Sequence, residues 1–381
     1  MLIQIHILQN YAPANLNRDD TGAPKDAVFG GVRRGRISSQ CIKRSIRRSA
    51  AFSEAFAKDD LLGVRTRKYP ALIREELKKK GVEEPDLSAI VDKLSEVGRE
   101  STKKGNEEEN PEDAKTEAVE AKAMVKQLMF IGKNEIPPMA SKLLEIYKKM
   151  GTVEWQKAEI SKITKELGKS LPRSMDIAMF GRMTTSDAFE DVSAAVQVAH
   201  ALSTHSLNQE SDYFTAVDDL ADEPGAGMIG DIEFNSSTFY KYLNVHWEEL
   251  VANLGGDAAV AARGVLALLD ASVKAQPTGK QNTFAAFNLP DFVLVEVSDT
   301  NLPVSYANAF LKPVRATYDA TLMEASIKQL ADYITRVNTA YNLNLNRACL
   351  TLMDETVPAS ERVATLEDLK TWLKSLLPLE G

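Results

Sequence analysis

The side chains best equipped for chemistry on an anion sit between residues 17 and 48. From Lys25 to Arg48 the chain places eight Lys or Arg, at 25, 33, 34, 36, 43, 44, 47 and 48, against one acid, Asp26. That is a local +7, and subtracting it from the chain's −8 leaves −15 for the remainder. A merely soluble surface mixes its signs, so a basic strip on an acidic protein points to a dedicated anionic ligand. A phosphate backbone is the ligand best able to use a row of cations.

No catalytic apparatus assembles beside that strip. Asp19-Asp20 and Asp218-Asp219 are adjacent carboxylates, and neighbours in sequence point apart on strands and helices, so neither pair must converge on one metal ion. The four histidines, His6, His200, His205 and His246, show no HxxxH spacing. Gly30-Gly31 is neither GxGxxG nor GxxxxGK[ST], and there is no nucleophile elbow. Cys41 and Cys349 give no disulfide framework or metal-ligand spacing. The expectation is a protein with no catalytic residue, no metal and no cofactor.

The elements around the strip sharpen its reading. Leu2–Leu8 predicts a strand with Ile3, Ile5 and Ile7 on one face and Gln4 and His6 on the other, His6 at the strand surface. Ser38 or Ser39 can cap a helix that residues 40–50 propagate. Ile42, Ser45, Ile46 and Ser49 then cluster on one face, with Gln40, Lys43, Arg44, Arg47 and Arg48 opposite. Arg33, Arg34 and Arg36 precede the helix, after a Gly30-Gly31 pair that would let backbone approach a ligand. N–H groups at the helix start would add an anion-binding element.

At 381 residues, with 44% hydrophobic and 26% charged residues, the chain reads as a globular protein of two or more units. No stretch approaches the roughly 18 uninterrupted apolar residues of a membrane span, and Met1–Leu8 lacks the features of a signal peptide. A cytoplasmic protein without a membrane partner is expected. Residues 54–170 change to Lys/Glu-rich helix formers, broken by a charged stretch at Lys103–Asp113, and read as an inserted helical subdomain. Its later lysines, Lys142, Lys148, Lys149, Lys157, Lys162, Lys165 and Lys169, suit an exposed helix face or a binding surface equally. Met175–Phe180 reads as a strand, Gly181–Ser186 as a turn and 191–204 as a helix. Asn208–Gly230 is polar, glycine-punctuated and followed by the strand pattern Ile232–Val245, which suggests a long projecting hairpin whose return arm re-enters a sheet. Phe292–Val297 predicts a strand, Met323–Val337 an amphipathic helix, and Thr365 with Asp368 a capping box.

The runs Leu16–Asp20, Lys25–Gly31 and Arg33–Gln40 together resemble the CasC family, the backbone subunits of the type I-E CRISPR surveillance complex (Cascade). The resemblance continues in Asp176-Ile177-Ala178, Gly181-Arg182-Met183, Ala199-His200-Ala201, Phe214–Leu220, Phe234–Tyr242, Asn282–Asn288 and Ala307–Phe310. It spans nearly the whole chain and is weakest at 54–170. It implies an α+β protein with an RRM-like (ferredoxin-like) palm, an inserted helical fingers subdomain and a protruding β-hairpin thumb. The palm would comprise residues 1–53, 171–206 and 238–381, the fingers 54–170 and the thumb 207–237. About six copies would line one crRNA, each thumb kinking the guide of its neighbour so that about every sixth nucleotide flips out, leaving the others to pair with target DNA. Its partners would be crRNA, target DNA through the guide, neighbouring copies of itself and other Cascade subunits, with cutting left to a recruited helicase-nuclease.

A subunit that must hold any guide should read phosphate and sugar, not base edges. By resemblance, Arg18, Lys25, Lys43 and Arg47 contact the guide backbone, supported by Ser38, Gln40 and the Gly30-Gly31 turn, within the strip that adds Arg33, Arg34, Arg36 and Arg44. Met183 and the Tyr213-Phe214 pair would meet bases at the kink, with Tyr213 standing where the family often has Trp. Two other readings stay open. One is a DNA-binding regulator whose Ser38–Arg48 helix enters a major groove, which would need a preceding helix. The other is a guide-dependent RNA nuclease like the type III backbone subunits, with Asp26 in the loop corresponding to their catalytic aspartate.

Overall fold

The computed structural model describes residues 1–94, 128–159, 163, 167, 173–183, 189–217 and 226–379. The stretch Lys103–Asp113, Lys162, Lys165, Lys169, Thr184–Ser186 and Asp218-Asp219 lie outside the described residues. The strands, in chain order, begin with β1 (Leu2–Ala14), β2 (Asp26–Phe29), β3 (Val32–Ile37), β4 (Gly63–Thr66) and β5 (Met129–Gly132). Next come β6 (Val196–Val198), β7 (Ala201–Ser203), β8 (Glu210–Val217) and β9 (Ala226–His246). The last are β10 (Phe292–Ser298), β11 (Asn346–Thr351) and β12 (Glu361–Arg362).

The protein is mixed α+β and divides into two compact units. The first comprises Met1–Ala55, Val196–Glu248 and Ala258–Gly381. It is built on a ten-stranded, mostly antiparallel sheet in the order β12-β11-β10-β1-β9-β7-β3-β2, with β6 and β8 also paired to β9. β1 sits between β9 and β10, matched from Leu2↔His246 and Leu2↔Ser298 onward. Strands paired on both sides and covered on both faces read as continuous apolar runs, and Leu2 through Leu8 are all buried.

The face of β1 that holds Leu8 packs with Tyr240, Tyr242, Phe292 and Leu294 against Met323, Ile327, Leu330 and Ile334 of the Leu322–Tyr341 helix. His6 lies on that face, fully buried, and is not at a strand surface as its polarity suggested. Its Nδ1 is 2.8 Å from Tyr240 Oη and its Nε2 3.3 Å from Glu296 Oε2. Glu296 also accepts from Arg347 Nε at 2.5 Å and Tyr306 Oη at 3.0 Å. Burial alone would raise the Glu296 carboxyl, but His6 and Arg347 hold it below the usual range. A buried carboxylate with these partners is offset within the core. The helices Ser39–Arg48, Ala258–Lys274 and Leu366–Leu376 pack in series, and Thr365 and Thr321 both close the capping boxes at their helix starts.

The second unit is Phe56–Ala195 with Glu249–Asp257. Helices Tyr69–Lys79, Asp86–Leu94 and Ile136–Lys157 share a core of Ile73, Leu77, Ile90, Leu143, Tyr147 and Trp155. The unit is not wholly helical, because β4 and β5 form an antiparallel ribbon. Met175–Phe180 is a helix where its apolar run suggested a strand. A short apolar run has no distinguishing period, and here Asp176 in the first turn settles the matter: its Oδ1 accepts from Ser174 Oγ and Gly63 N. The segment read as a helix over 191–204 instead supplies β6 and β7. The long strand β9 offers them an edge, pairing Val196 with Val245 and Leu202 with Tyr240, and that tertiary ladder overrides local propensity. No single helix among the described residues is long and apolar enough to cross a membrane.

Lys241 of β9 is buried at the centre of the sheet, donating to Tyr11 Oη at 3.0 Å and to Gln9 Oε1. Burial pushes its amine down to about 7. An unfolded lysine keeps its ordinary value of about 10.4, so from about pH 7 to pH 10 the unfolded chain binds the extra proton. Stability should therefore rise with pH across that window, by at most about 1.4 kcal/mol per pH unit. Denaturant melts at pH 7, 8 and 9 check this: the rise should be present in the wild type and flattened in Lys241→Met.

Candidate nucleic-acid interface

The basic helix begins at Ser38, whose hydroxyl accepts from Cys41 N, and runs Ser39–Arg48. Ile42 and Ile46 are buried, while Gln40, Arg44 and Arg48 are exposed and Lys43 and Arg47 are half-buried, so the helix presents cations outward. Lys43 and Arg47 are one turn apart, and partial burial pushes the Lys43 amine down. Strand β3 leads straight into the helix, so the preceding helix that a major-groove reader would need is replaced by a strand.

The loop before β2 closes against this helix. Asn17 Oδ1 accepts from Ser38 N at 2.8 Å, its carbonyl from Lys25 N at 2.8 Å. Asp19 folds the tip, its Oδ1 accepting from Thr21 N, Thr21 Oγ1 and Ala23 N, so it serves as a turn cap. Between loop and helix lies an open groove of about 530 Å³ whose walls include Arg18, Arg44, Ser45, Cys41, Thr278 and Gly279. Arg18 is exposed at one side and Arg44 at the other. Asn17 and the Thr278-Gly279 segment contribute although their types and spacing mark no role for them, and the approach of Gly279 to the Leu16 carbonyl is not local in sequence.

Arg34, Gly30 and Ser38 serve the fold instead. Arg34 is fully buried, and its guanidinium donates to Thr204 O and Phe310 O, each at 2.8 Å, with longer contacts to the Ser203 and Leu311 carbonyls. It cannot reach a phosphate, which corrects its assignment as a backbone contact. Gly30 and Gly31, at φ +61° and +76°, form the two-residue turn joining β2 and β3. A side chain on Gly30 would collide with the Leu311 carbonyl, so the close approach it permits is to its own chain; Gly31 faces open space. Ser38 is buried as the cap.

Arg33 and Arg36 are held in place by local partners. Arg33 is exposed and ion-paired with Asp26, its Nε 2.8 Å from Oδ2. Arg36 Nε donates to the Asp26 carbonyl at 2.9 Å, and its Nη1 lies 3.2 Å from His200 Nδ1. Partial burial, reinforced by Arg36 and Lys25, pushes the His200 imidazole down. Among the described residues, no group of three or more His, Cys, Asp or Glu could hold a metal ion.

The hairpin residues divide by register. Strand β8 pairs with β9 through Tyr213↔Asp231, Phe214↔Gly230 and Thr215↔Ile229. Successive side chains on a strand point to opposite faces, so Tyr213 and Phe214 cannot present their rings to one ligand on one side. The Phe214 ring lies across Gly230, Cζ 2.6 Å from where a Cβ would stand, while Tyr213 is 64% exposed. Met183, in the second unit, is 92% exposed and packs in no core.

A family model described as CT1975-like protein matches residues 3–376. Among solved structures, the chain is similar to a chain of a "CRISPR RNA-guided surveillance complex, pre-nicking", at 29% identity and a TM-score of 0.79, covering 99% of this chain and 100% of that one. A chain of a "CRISPR RNA-guided surveillance complex" is 25% identical with a TM-score of 0.69, over 98% of this chain and 99% of that one. No curated protein matches.

Arg34 and its neighbours should separate cleanly under mutation. Arg34→Ala takes a buried guanidinium's donors from the Phe310 and Thr204 carbonyls, of which Thr204 keeps Val314 N, and an unsatisfied buried acceptor costs about 1–3 kcal/mol. Denaturant unfolding should show a loss of about 3 kcal/mol or more, whereas Arg18→Ala, at an exposed position, should stay within about 0.5 kcal/mol of wild type.

Proposed function

The chain belongs to the CT1975-like protein family, and on that footing we propose that it is the guide-RNA-binding backbone subunit of a Cascade-type CRISPR surveillance complex. Full-length likeness to chains of CRISPR RNA-guided surveillance complexes carries this reading. The groove between the Asn17–Gly22 loop and the basic helix supports it, because its cations suit phosphates and it offers no element for reading base edges in a duplex. In finer detail the protein is a type I-E subunit. Its palm is RRM-like: the order β10-β1-β9-β6, with a helix after β1 and another after β9, agrees with a ferredoxin-like core.

Several copies, about six, multimerise along the crRNA in this proposal, each kinking it at regular intervals and leaving the intervening bases to pair with target DNA. Arg18, Lys25, Lys43, Arg44 and Arg47 hold phosphates. Arg33 and Arg36 add positive potential at the hairpin and are oriented by Asp26. Tyr213 and Met183 meet bases at the kink, and Phe214 braces the hairpin from its other face. The protein acts in the cytoplasm without itself cutting nucleic acid. An Asp26 carboxylate already ion-paired to Arg33 favours that over the nuclease reading.

Lys43→Ala with Arg47→Ala should weaken guide binding equally for guides of unrelated sequence. Removing one phosphate-neutralising cation should lower the slope of log affinity against log salt by roughly one unit. Filter binding over a salt series checks this, and a weakening that depended on spacer sequence would contradict backbone reading. For the enzyme question, complementary RNA incubated with the guide-bound protein in Mg²⁺ or Mn²⁺ should stay intact. Cleavage at regular steps, abolished by Asp26→Ala, would establish the nuclease instead.

A further inference from the structure

The groove beside the basic helix contains a group that phosphate binding does not explain. Along with Arg18 and Arg44, its walls include Asp20, an exposed carboxylate at the tip of the loop before β2. That tip is pinned. Arg18 and Pro24 form a β-bridge, Asp19 N donates to Ala23 O at 2.9 Å, and Asn15 Nδ2 donates to Gly22 O at 2.9 Å. Asp19 is occupied by the turn: the Thr21 hydroxyl and N–H, with the Ala23 N–H, hold its carboxyl below the usual range. Asp20 makes none of those bonds, so the turn does not account for it. A carboxylate in a phosphate groove weakens binding by like-charge repulsion unless some other group of the ligand compensates.

Cations alone would hold any single strand, DNA as well as RNA, because both carry the same phosphates. A subunit that must keep its guide in the presence of DNA needs a group that tells the two apart. Three partners in a nucleic-acid complex can meet a carboxylate. Amino groups on base edges differ from base to base, which excludes them in a groove that takes any guide. A divalent cation bridging to a phosphate needs further ligands, and among the described residues no group of three or more His, Cys, Asp or Glu could hold a metal ion. The ribose 2′-hydroxyl is a donor at every ribonucleotide and at no deoxyribonucleotide, and it carries no base information. A charged acceptor takes such a bond strongly. Facing a deoxyribose, the same carboxylate has only phosphates to repel, so it acts against DNA as well as for RNA.

We infer that Asp20 accepts a hydrogen bond from a 2′-hydroxyl of the guide and so makes the groove select ribose over deoxyribose. The inference rests on the guide-binding function proposed above and names the residue that distinguishes an RNA guide from a DNA strand.

Guide RNAs carrying one 2′-deoxy or one 2′-fluoro nucleotide at successive positions, bound to the wild type and to Asp20 variants with Mg²⁺ and with EDTA, test it. In the wild type, a deoxy substitution should weaken binding about tenfold at positions recurring at a regular interval. A 2′-fluoro substitution should weaken it as far at the same positions, because fluorine keeps the ribose-like pucker but cannot donate. In Asp20→Ala the ribose, deoxy and fluoro guides should bind within about twofold of one another. A negative charge acting only through its general field would, once removed, strengthen all three guides alike and leave their ratios unchanged. Asp20→Asn keeps the loop's shape and a neutral acceptor, and should shrink the penalty to about threefold, a second reading that does not depend on the alanine variant folding. A wild-type protein that bound no guide would overturn the functional reading and this contact with it. Guide bound normally but with no deoxy penalty, a penalty unchanged in both variants, binding restored by fluorine, or a penalty that disappears in EDTA would overturn the contact alone.

Discussion

The buried Arg34 guanidinium is the interaction on which the candidate surface depends. It ties the β2–β3 hairpin to the end of β7 and to the turn at Ala307–Phe310 by donating to the Thr204 and Phe310 carbonyls. A cation costs several kcal/mol to bury unless its donors are matched, and here they are matched by oxygen acceptors on three sides. With the hairpin fixed, β3 delivers the chain to Ser38, and the cap sets the direction of the basic helix. Asn17 then locks the opposing loop onto the same cap. One inward arginine thus leaves its neighbour Arg33 facing outward.

Division of labour recurs along the chain wherever two similar residues stand side by side. Arg33 and Arg34 point to opposite faces of β3, one into solvent and one into the core. Tyr213 and Phe214 do the same on β8, one exposed and one folded over Gly230. In the second unit, Arg182 anchors Glu135 while Met183 projects. A two-stranded hairpin is marginal alone, so a ring lying on its own glycine helps keep the exposed arm straight. In each pair the inward member preorganises the position of the outward one, and preorganisation lowers the cost of ordering on binding.

Periodicity and caps made much of this legible in the sequence. The strand at Leu2–Leu8, the spacing of Met323 through Val337, the Thr365–Asp368 box and the one-sided basic helix each follow from a local rule, and the structure has each of them. What local rules could not supply was partnership. His6 looked like a surface residue because its acceptor, Glu296, lies 290 positions away in the chain. Residues 191–204 looked helical because the edge of β9 that recruits them is not local. Arg34 was indistinguishable from Arg33 by type, and a strand's two faces differ only once the sheet order is known. The β4–β5 ribbon was invisible because its two strands are separated by more than sixty residues of sequence.

In the proposed function a guide strand, held by its backbone, organises copies of this 41.9 kDa chain. The most direct measurement is the native mass of the purified protein with guides of several lengths and without one. Assemblies are expected whose number of subunits rises stepwise with guide length, is indifferent to guide sequence, and collapses when the guide is digested. A mass unchanged by guide length, or an assembly that persists after the RNA is removed, would contradict it.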